Sequence, residues 1–249
     1  MNNLKSTFWR YVCSFGSLPY VYRLITKTSP YLMGLAVACL GLGIMWGLFF
    51  TPADYQQGDA FRIIYIHVPA AFFSLSLYAA MGFASLAYLI WRVKLWDMVA
   101  LSIAPVGALF TVIALITGSV WGKPMWGTYW IWDARLTSEL ILCFLYLGYL
   151  GLYHSLKAHP NVGKIVAVLA VVGLLDLPVI HYSVTWWSTL HQGSTVVKLK
   201  PSIAPEMLWP LLITLAGFAF YAAWLVCVRV QNLIRERESR AQWLKECVS

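Results

Sequence analysis

Trp121, Trp126, Tyr129, Trp130 and Trp132 crowd one short stretch, and Asp133 and Arg135 follow directly. Gly122, Pro124 and Gly127 interrupt that stretch, which predicts an irregular segment rather than one helical stripe. Rings concentrated in this way make a flat apolar surface suited to a flat apolar ligand. Two histidines add metal chemistry: His67 in Ile66-His67-Val68-Pro69-Ala70, and His191 in Leu190-His191-Gln192-Gly193, just after Trp186 and Trp187. Iron accepts two axial imidazoles. Histidines from two distant segments could therefore clamp a haem iron from both faces while indoles pack against the porphyrin. The haem carboxylates then need cations, for which Arg135, Lys123 and Arg62 are the candidates; an arginine can grip a carboxylate through two parallel hydrogen bonds. Asp133 is read as a partner of Arg135 or as the cap of a helix opening Asp133-Ala134-Arg135-Leu136-Thr137-Ser138-Glu139, which offers several capping groups.

Each of these residues also has a plainer use. Tryptophan favours membrane interfaces because one edge is apolar and the other donates a hydrogen bond, and a lone interfacial histidine commonly serves structure. The concentration of rings in one segment argues for a ligand, since a belt would spread them over many helix ends. His181, in Ile180-His181-Tyr182, competes with His191 for the second ligand position, whereas His154 and His159 stand near Lys157 and read as interfacial.

The elements that must position these groups follow from composition. Hydrophobic residues make up 60% of the 249 and charged residues 11%, with a mean hydropathy of +0.70. Soluble domains carry about 25% charged residues, so this chain belongs in lipid. A helix needs roughly 20 apolar residues to span a bilayer, and six segments qualify: 31–50, 69–91, 98–118, 140–156, 165–181 and 207–228. The aromatic segment, 119–137, lies between the third and fourth. These runs are continuously apolar, unlike the alternating strands of a transmembrane barrel. The expected fold is thus an all-α integral membrane protein, one bundle of six transmembrane helices over residues 1–249. Placing the amino terminus in the cytoplasm puts 13 of the 18 basic residues in inner segments and 5 in outer ones. That asymmetry satisfies the positive-inside rule with both termini cytoplasmic. The net charge of +8 is then a topology signal, and no basic patch for nucleic acid is present. Pro69 is expected to start the second helix, with His67 just above it at the outer surface. No cleavable signal peptide is evident. The five cysteines show no Cys-x-x-Cys spacing and read as small apolar filler.

The run Trp121-Gly122…Trp126-Gly127…Trp130…Trp132-Asp133…Arg135-Leu136-Thr137 resembles the tryptophan-rich WWD signature of haem-handling membrane proteins. With the six-helix size, Tyr65-Ile66-His67-Val68-Pro69-Ala70-Ala71 and His181-Tyr182-Ser183-Val184…Trp186-Trp187…Leu190-His191-Gln192-Gly193-Ser194, the chain is similar to the cytochrome c maturation protein C (CcmC) family over roughly residues 31–228. The resemblance implies a role in c-type cytochrome biogenesis at the bacterial inner membrane. Such proteins present haem b on the periplasmic face and load it onto a haem chaperone, CcmE. They work beside an ABC-type ATPase and permease, CcmA and CcmB, and a small membrane protein, CcmD. Carried over by position, the axial haem ligands are His67 and His191, and the platform is Trp121, Trp126, Trp130 and Trp132.

The chain has no Gly-x-x-x-x-Gly-Lys-Ser/Thr loop, so an ATPase must be another subunit and this chain is read as a transport subunit, not an enzyme. Asp176 and Pro178 are expected to interrupt the fifth helix, with a structural role for the aspartate. Two other functions compete. An electron-transfer cytochrome b subunit would bury histidine pairs between helix centres, which carry none here. A non-catalytic scaffold of a transporter complex would use the same rings to dock a partner.

Overall fold

Helix follows helix from Leu18 onward in the computed structural model, which describes residues 17–187 and 203–248. The elements are α1 (Leu18–Phe49), a 3-10 turn (Asp59–Ile63), α2 (Ile64–Trp91), α3 (Lys94–Trp126), α4 (Ala134–Ser155), α5 (Val162–Gly173), α6 (Asp176–Trp186), α7 (Pro205–Arg237) and α8 (Gln242–Val248). No β-strand occurs among the described residues. Six helical units are long and apolar enough to cross a membrane, with α5 and α6 together making the fifth. The expected all-α membrane fold is therefore what the chain adopts.

The helices overrun the apolar windows. α1 starts at Leu18 instead of 31, because Pro19 suits a first turn and nothing before Pro30 breaks the helix. α7 runs to Arg237 instead of 228, its polar last turns held by Lys157–Glu236 and Arg237–Asp97 ion pairs. The second helix does not start at Pro69. The 3-10 turn feeds directly into α2 at Ile64, so His67 lies within the first turns of the helix and Pro69 inside it. Pro69 forfeits one backbone bond to Tyr65, a loss that membrane helices tolerate.

The fifth span breaks where expected. Leu174 and Leu175 make tight i→i−3 bonds to Val171 and Val172 (3.2 and 3.1 Å), and Pro178 cannot donate to the Leu174 carbonyl. α6 then starts at Asp176.

α3 is the central helix and α1 the most peripheral: 61% of the apolar window of α3 is buried against 17% for α1. Groups carried by α3 therefore sit at the middle of the bundle. α1 packs mainly on α7, where Gly43 meets the Thr214 backbone and Gly217 meets Leu40. Small residues allow such close approach in lipid. The main core joins α2 to α5 around Tyr78, Tyr146, Tyr149, Leu142 and Val166. Most ion pairs gather at one end, through Arg237–Asp97 (2.6 Å), Lys157–Glu236 (3.1 Å) and Lys94–Glu238 (3.6 Å). The opposite end carries the tryptophan-rich segment and is called the aromatic end below.

A cleft at the aromatic end

α2, α3 and α4 diverge at the aromatic end around a cleft of about 440 Å³, counting the space open to the outside. His67 and Ala71 line it from α2, Ala114, Gly118 and Trp126 from α3, Trp130 from the connector, and Arg135, Leu136 and Glu139 from α4. Most of the wall is apolar, with one imidazole, one guanidinium and one carboxylate.

His67 is buried, and its Nδ1 lies 3.0 Å from Thr117 Oγ1. The threonine hydroxyl has one proton and already donates it to the Ile113 carbonyl at 2.6 Å. Toward the imidazole it is therefore the acceptor, and Nδ1–H the donor. This tautomer leaves the lone pair on Nε2, the state a metal requires. A Cβ on Gly118 would stand 3.0 Å from His67 Cε1, so the glycine makes room for the ring. Trp121 packs edge-on against the imidazole at 5.5 Å and donates from Nε1 to Gln57 Oε1 at 2.9 Å. Trp121 therefore backs His67 and does not line the cleft.

The aromatic segment is only partly irregular. α3 continues through Trp121, Lys123 and Pro124 to Trp126, correcting the expectation of a broken run. Gly122 lies under the Trp126 ring, where a Cβ would meet it at 3.0 Å, so the ring itself covers the helix surface there. The chain leaves the helix at Gly127, whose φ of +77° is a left-handed cap that a side chain would strain. Trp130 is half-buried with an unpartnered Nε1 and meets Trp132 at 5.4 Å. Trp132 projects outward, 77% exposed.

Asp133 caps α4. Its Oδ1 accepts from the Leu136 N–H at 2.8 Å, while its Oδ2 is buried without a hydrogen-bond partner. Arg135 does not pair with Asp133; its Nη1 donates to the Ile180 carbonyl at 3.0 Å, tying α4 to α6. The three candidate cations thus separate. Arg135 lines the cleft. Arg62 pairs with Asp59 (3.0 Å) and caps the end of α1 through the Leu48 carbonyl (2.7 Å). Lys123 donates to the Gly127 carbonyl at 3.0 Å and lies over the Tyr129 ring.

His191, with Lys198 and Lys200, lies outside the described residues. His181 is exposed on α6 and does not line the cleft; its neighbours Tyr182 and Trp186 stack at 5.2 Å. Asp176, in the first turn of α6, is also off the cleft, with a buried, unpartnered Oδ2. Glu139, expected only among capping groups, is instead a buried wall residue whose Oε1 accepts from Ser74 Oγ at 2.7 Å. Its signal in the sequence is a carboxylate four residues after Arg135 inside an apolar run, a functional suspect at membrane depth.

Among the described residues no three His, Cys, Asp or Glu side chains converge to hold a bare metal ion. A single tautomer-fixed imidazole in an apolar cleft suits a metal that arrives with its equatorial ligands already in place, as in a porphyrin. The donor set fits haem on that ground.

A family model described as Heme exporter protein C matches residues 11–245. The chain is 45% identical to the Heme exporter protein C of Haemophilus influenzae over 238 residues, covering 95% of this chain and 97% of that protein. It is 45% identical to the Escherichia coli (strain K12) protein of the same name over 240 residues, 96% and 97% of the two chains. A putative cytochrome c biosynthesis ccmC-like mitochondrial protein of Marchantia polymorpha is 39% identical over 208 residues, 84% of this chain and 89% of the relative.

Proposed function

This chain belongs to the Heme exporter protein C family, and on that premise we propose that it presents haem at its aromatic end for delivery to the chaperone CcmE. At the coarser level it is a multi-pass membrane protein of haem export for cytochrome c biogenesis. It is a transport subunit and carries no phosphate-binding loop of its own. ATP hydrolysis falls to a partner such as CcmA, with CcmB as permease and CcmD as the small accessory protein. In this reading the aromatic end faces the periplasm from the inner membrane, as the distribution of basic residues predicts.

The observation that carries the proposal is His67, held by Thr117 in a cleft it shares with Trp126, Trp130 and Arg135. His67 offers Nε2 to one face of the iron, and His191 is assigned the other. Trp126 and Trp130 exclude water and pack on the ring, Trp121 fixes the imidazole, and Trp132 projects where a chaperone would dock. Arg135 keeps donors beyond the one given to Ile180, enough to meet a haem carboxylate. Bound haem supplies the vinyl-bearing cargo that the chaperone receives; the chain itself binds, orients and shields it.

The test is the absorption spectrum of the purified protein with haem, beside His67→Ala, His191→Ala and His181→Ala. A low-spin spectrum lost in the first two and kept in the third is expected. An unchanged spectrum in all three would overturn the assignment and favour a scaffold whose exposed rings, Trp132, Tyr182, Trp186 and Trp187, dock a partner.

A further inference from the structure

The ion-paired end carries an open groove where α1 meets α8. Tyr22, Arg23, Thr26 and Lys27 line it from α1, and Glu246 and Cys247 from α8. Its shape is fixed from outside: Trp243 packs edge-on against Tyr22 at 6.1 Å, Arg235 Nε donates to the Tyr22 hydroxyl at 2.9 Å, and Gln231 Nε2 donates to Thr26 Oγ1 at 2.6 Å. Lys27 lies 22 residues before Phe49, about 33 Å along the helix, which is close to the thickness of a bilayer core of about 30 Å. With Phe49 at one boundary, Lys27 stands at the other, and Arg23 one turn beyond it among the headgroups. At 3.6 residues per turn, Arg23 and Lys27 share a face of α1 with Gly34, Ala38 and Gly41, all within an arc of about 60°. A Cβ on Gly34 or Gly41 would meet nothing within 4 Å. Val37 and Leu42 stand exposed on either side, so a furrow of small residues runs from the two cations into the membrane.

We infer that this face of α1 binds one anionic phospholipid, its phosphate between Arg23 and Lys27 and an acyl chain in the furrow of Gly34, Ala38 and Gly41. The leaflet is the one at the ion-paired end, the inner leaflet in the orientation proposed above. Arg23 donates through Nε to Cys247 Sγ at 3.4 Å, and a guanidinium has four further N–H donors for phosphate oxygens. Lys27 has no ion-pair partner among the described residues, and its flexible stem lets the ammonium reach the headgroup plane. Glu246, on the opposite wall, attracts the same Arg23 guanidinium and so competes with the phosphate. Two cations against one carboxylate leave a single positive charge, which matches a lipid of one net negative charge. A zwitterionic headgroup brings its own cation and gains less. Charge and furrow lie in the order of a phospholipid's own parts, phosphate first and hydrocarbon deeper, which favours a lipid over a partner helix on this face.

The test strips the full chain of lipid in detergent and titrates it with phosphatidylglycerol, phosphatidylcholine or glycerol phosphate. Native mass spectrometry counts both the bound lipids and the chains per particle. One phosphatidylglycerol per chain should bind about tenfold more tightly than phosphatidylcholine. Arg23→Gln and Lys27→Gln should each weaken it about fivefold; both side chains are exposed, so neither change threatens the fold. Glu246→Gln should tighten it. Gly34→Leu with Gly41→Leu, which fills the furrow, should weaken phosphatidylglycerol and leave glycerol phosphate unaffected. Equal affinity for the two lipids, or cation variants that bind as the wild type does, would overturn the inference. So would glycerol phosphate binding as tightly as the lipid, which marks a site for free anions. A dimer that the leucine variant disperses, with phosphatidylglycerol binding unchanged, would assign the face to a second copy of the chain instead.

Discussion

Thr117 Oγ1 stands 3.0 Å from His67 Nδ1 while giving its own proton to the carbonyl one turn back on α3, so the hydroxyl dictates which imidazole nitrogen is protonated. Thr117→Val keeps the shape and removes the acceptor. Loss of such an outer partner costs about 10–100-fold in metal affinity. Haem titration should show a weakening of that order in Thr117→Val and near-normal binding in Thr117→Ser.

Gly118→Ala tests the space beside the same ring. The new methyl would stand 3.0 Å from His67 Cε1, so the imidazole must give by a few tenths of an ångström, which loosens its hydrogen bond to Thr117. Haem binding should fall while the melting temperature without haem changes little; an alanine variant that binds as the wild type does would refute this packing.

Asp133 closes the open end of α4 through Leu136. Asp133→Ala should lower stability by about 1 kcal/mol, and Asp133→Asn by much less, because asparagine caps nearly as well. Thermal unfolding in detergent reads the difference. Because the same turn aims Arg135 and follows Trp132, haem affinity should decline along with stability.

At the far end of the bundle, Arg237 bridges Asp97 at 2.6 Å and Tyr153 at 3.2 Å. Arg237→Leu leaves a mostly buried aspartate without its cation. Fully buried pairs lose about 3–5 kcal/mol on such a change. Here the arginine side chain is 28% exposed, which places the expected loss nearer ~2 kcal/mol. The midpoint of thermal unfolding should drop while the haem spectrum of the folded fraction stays unchanged, since this pair lies far from His67.

The membrane class and the six spans were legible in the chain itself, because lipid demands continuous apolar runs and these are local in sequence. The aromatic segment and His67 were legible as residue types for the same reason. Helix ends were not: Ile64, Leu18 and Arg237 start or stop their helices according to turns and ion pairs that hydropathy does not register. The division of labour among the cations was equally hidden. Arg62, Lys123 and Arg135 look alike as spacing, and only the packing of α1, Gly127 and α6 against them decides that Arg135 alone of the three faces the cleft. Glu139 belongs to the same class. Its partner Ser74 is 65 residues away on α2, so position in the chain offered it only as one of several capping groups for α4. Local chemistry determined what the residues are able to do; the crossing of α2, α3 and α4 decided which of them meet, because contacts between distant segments depend on helix geometry that no single segment encodes.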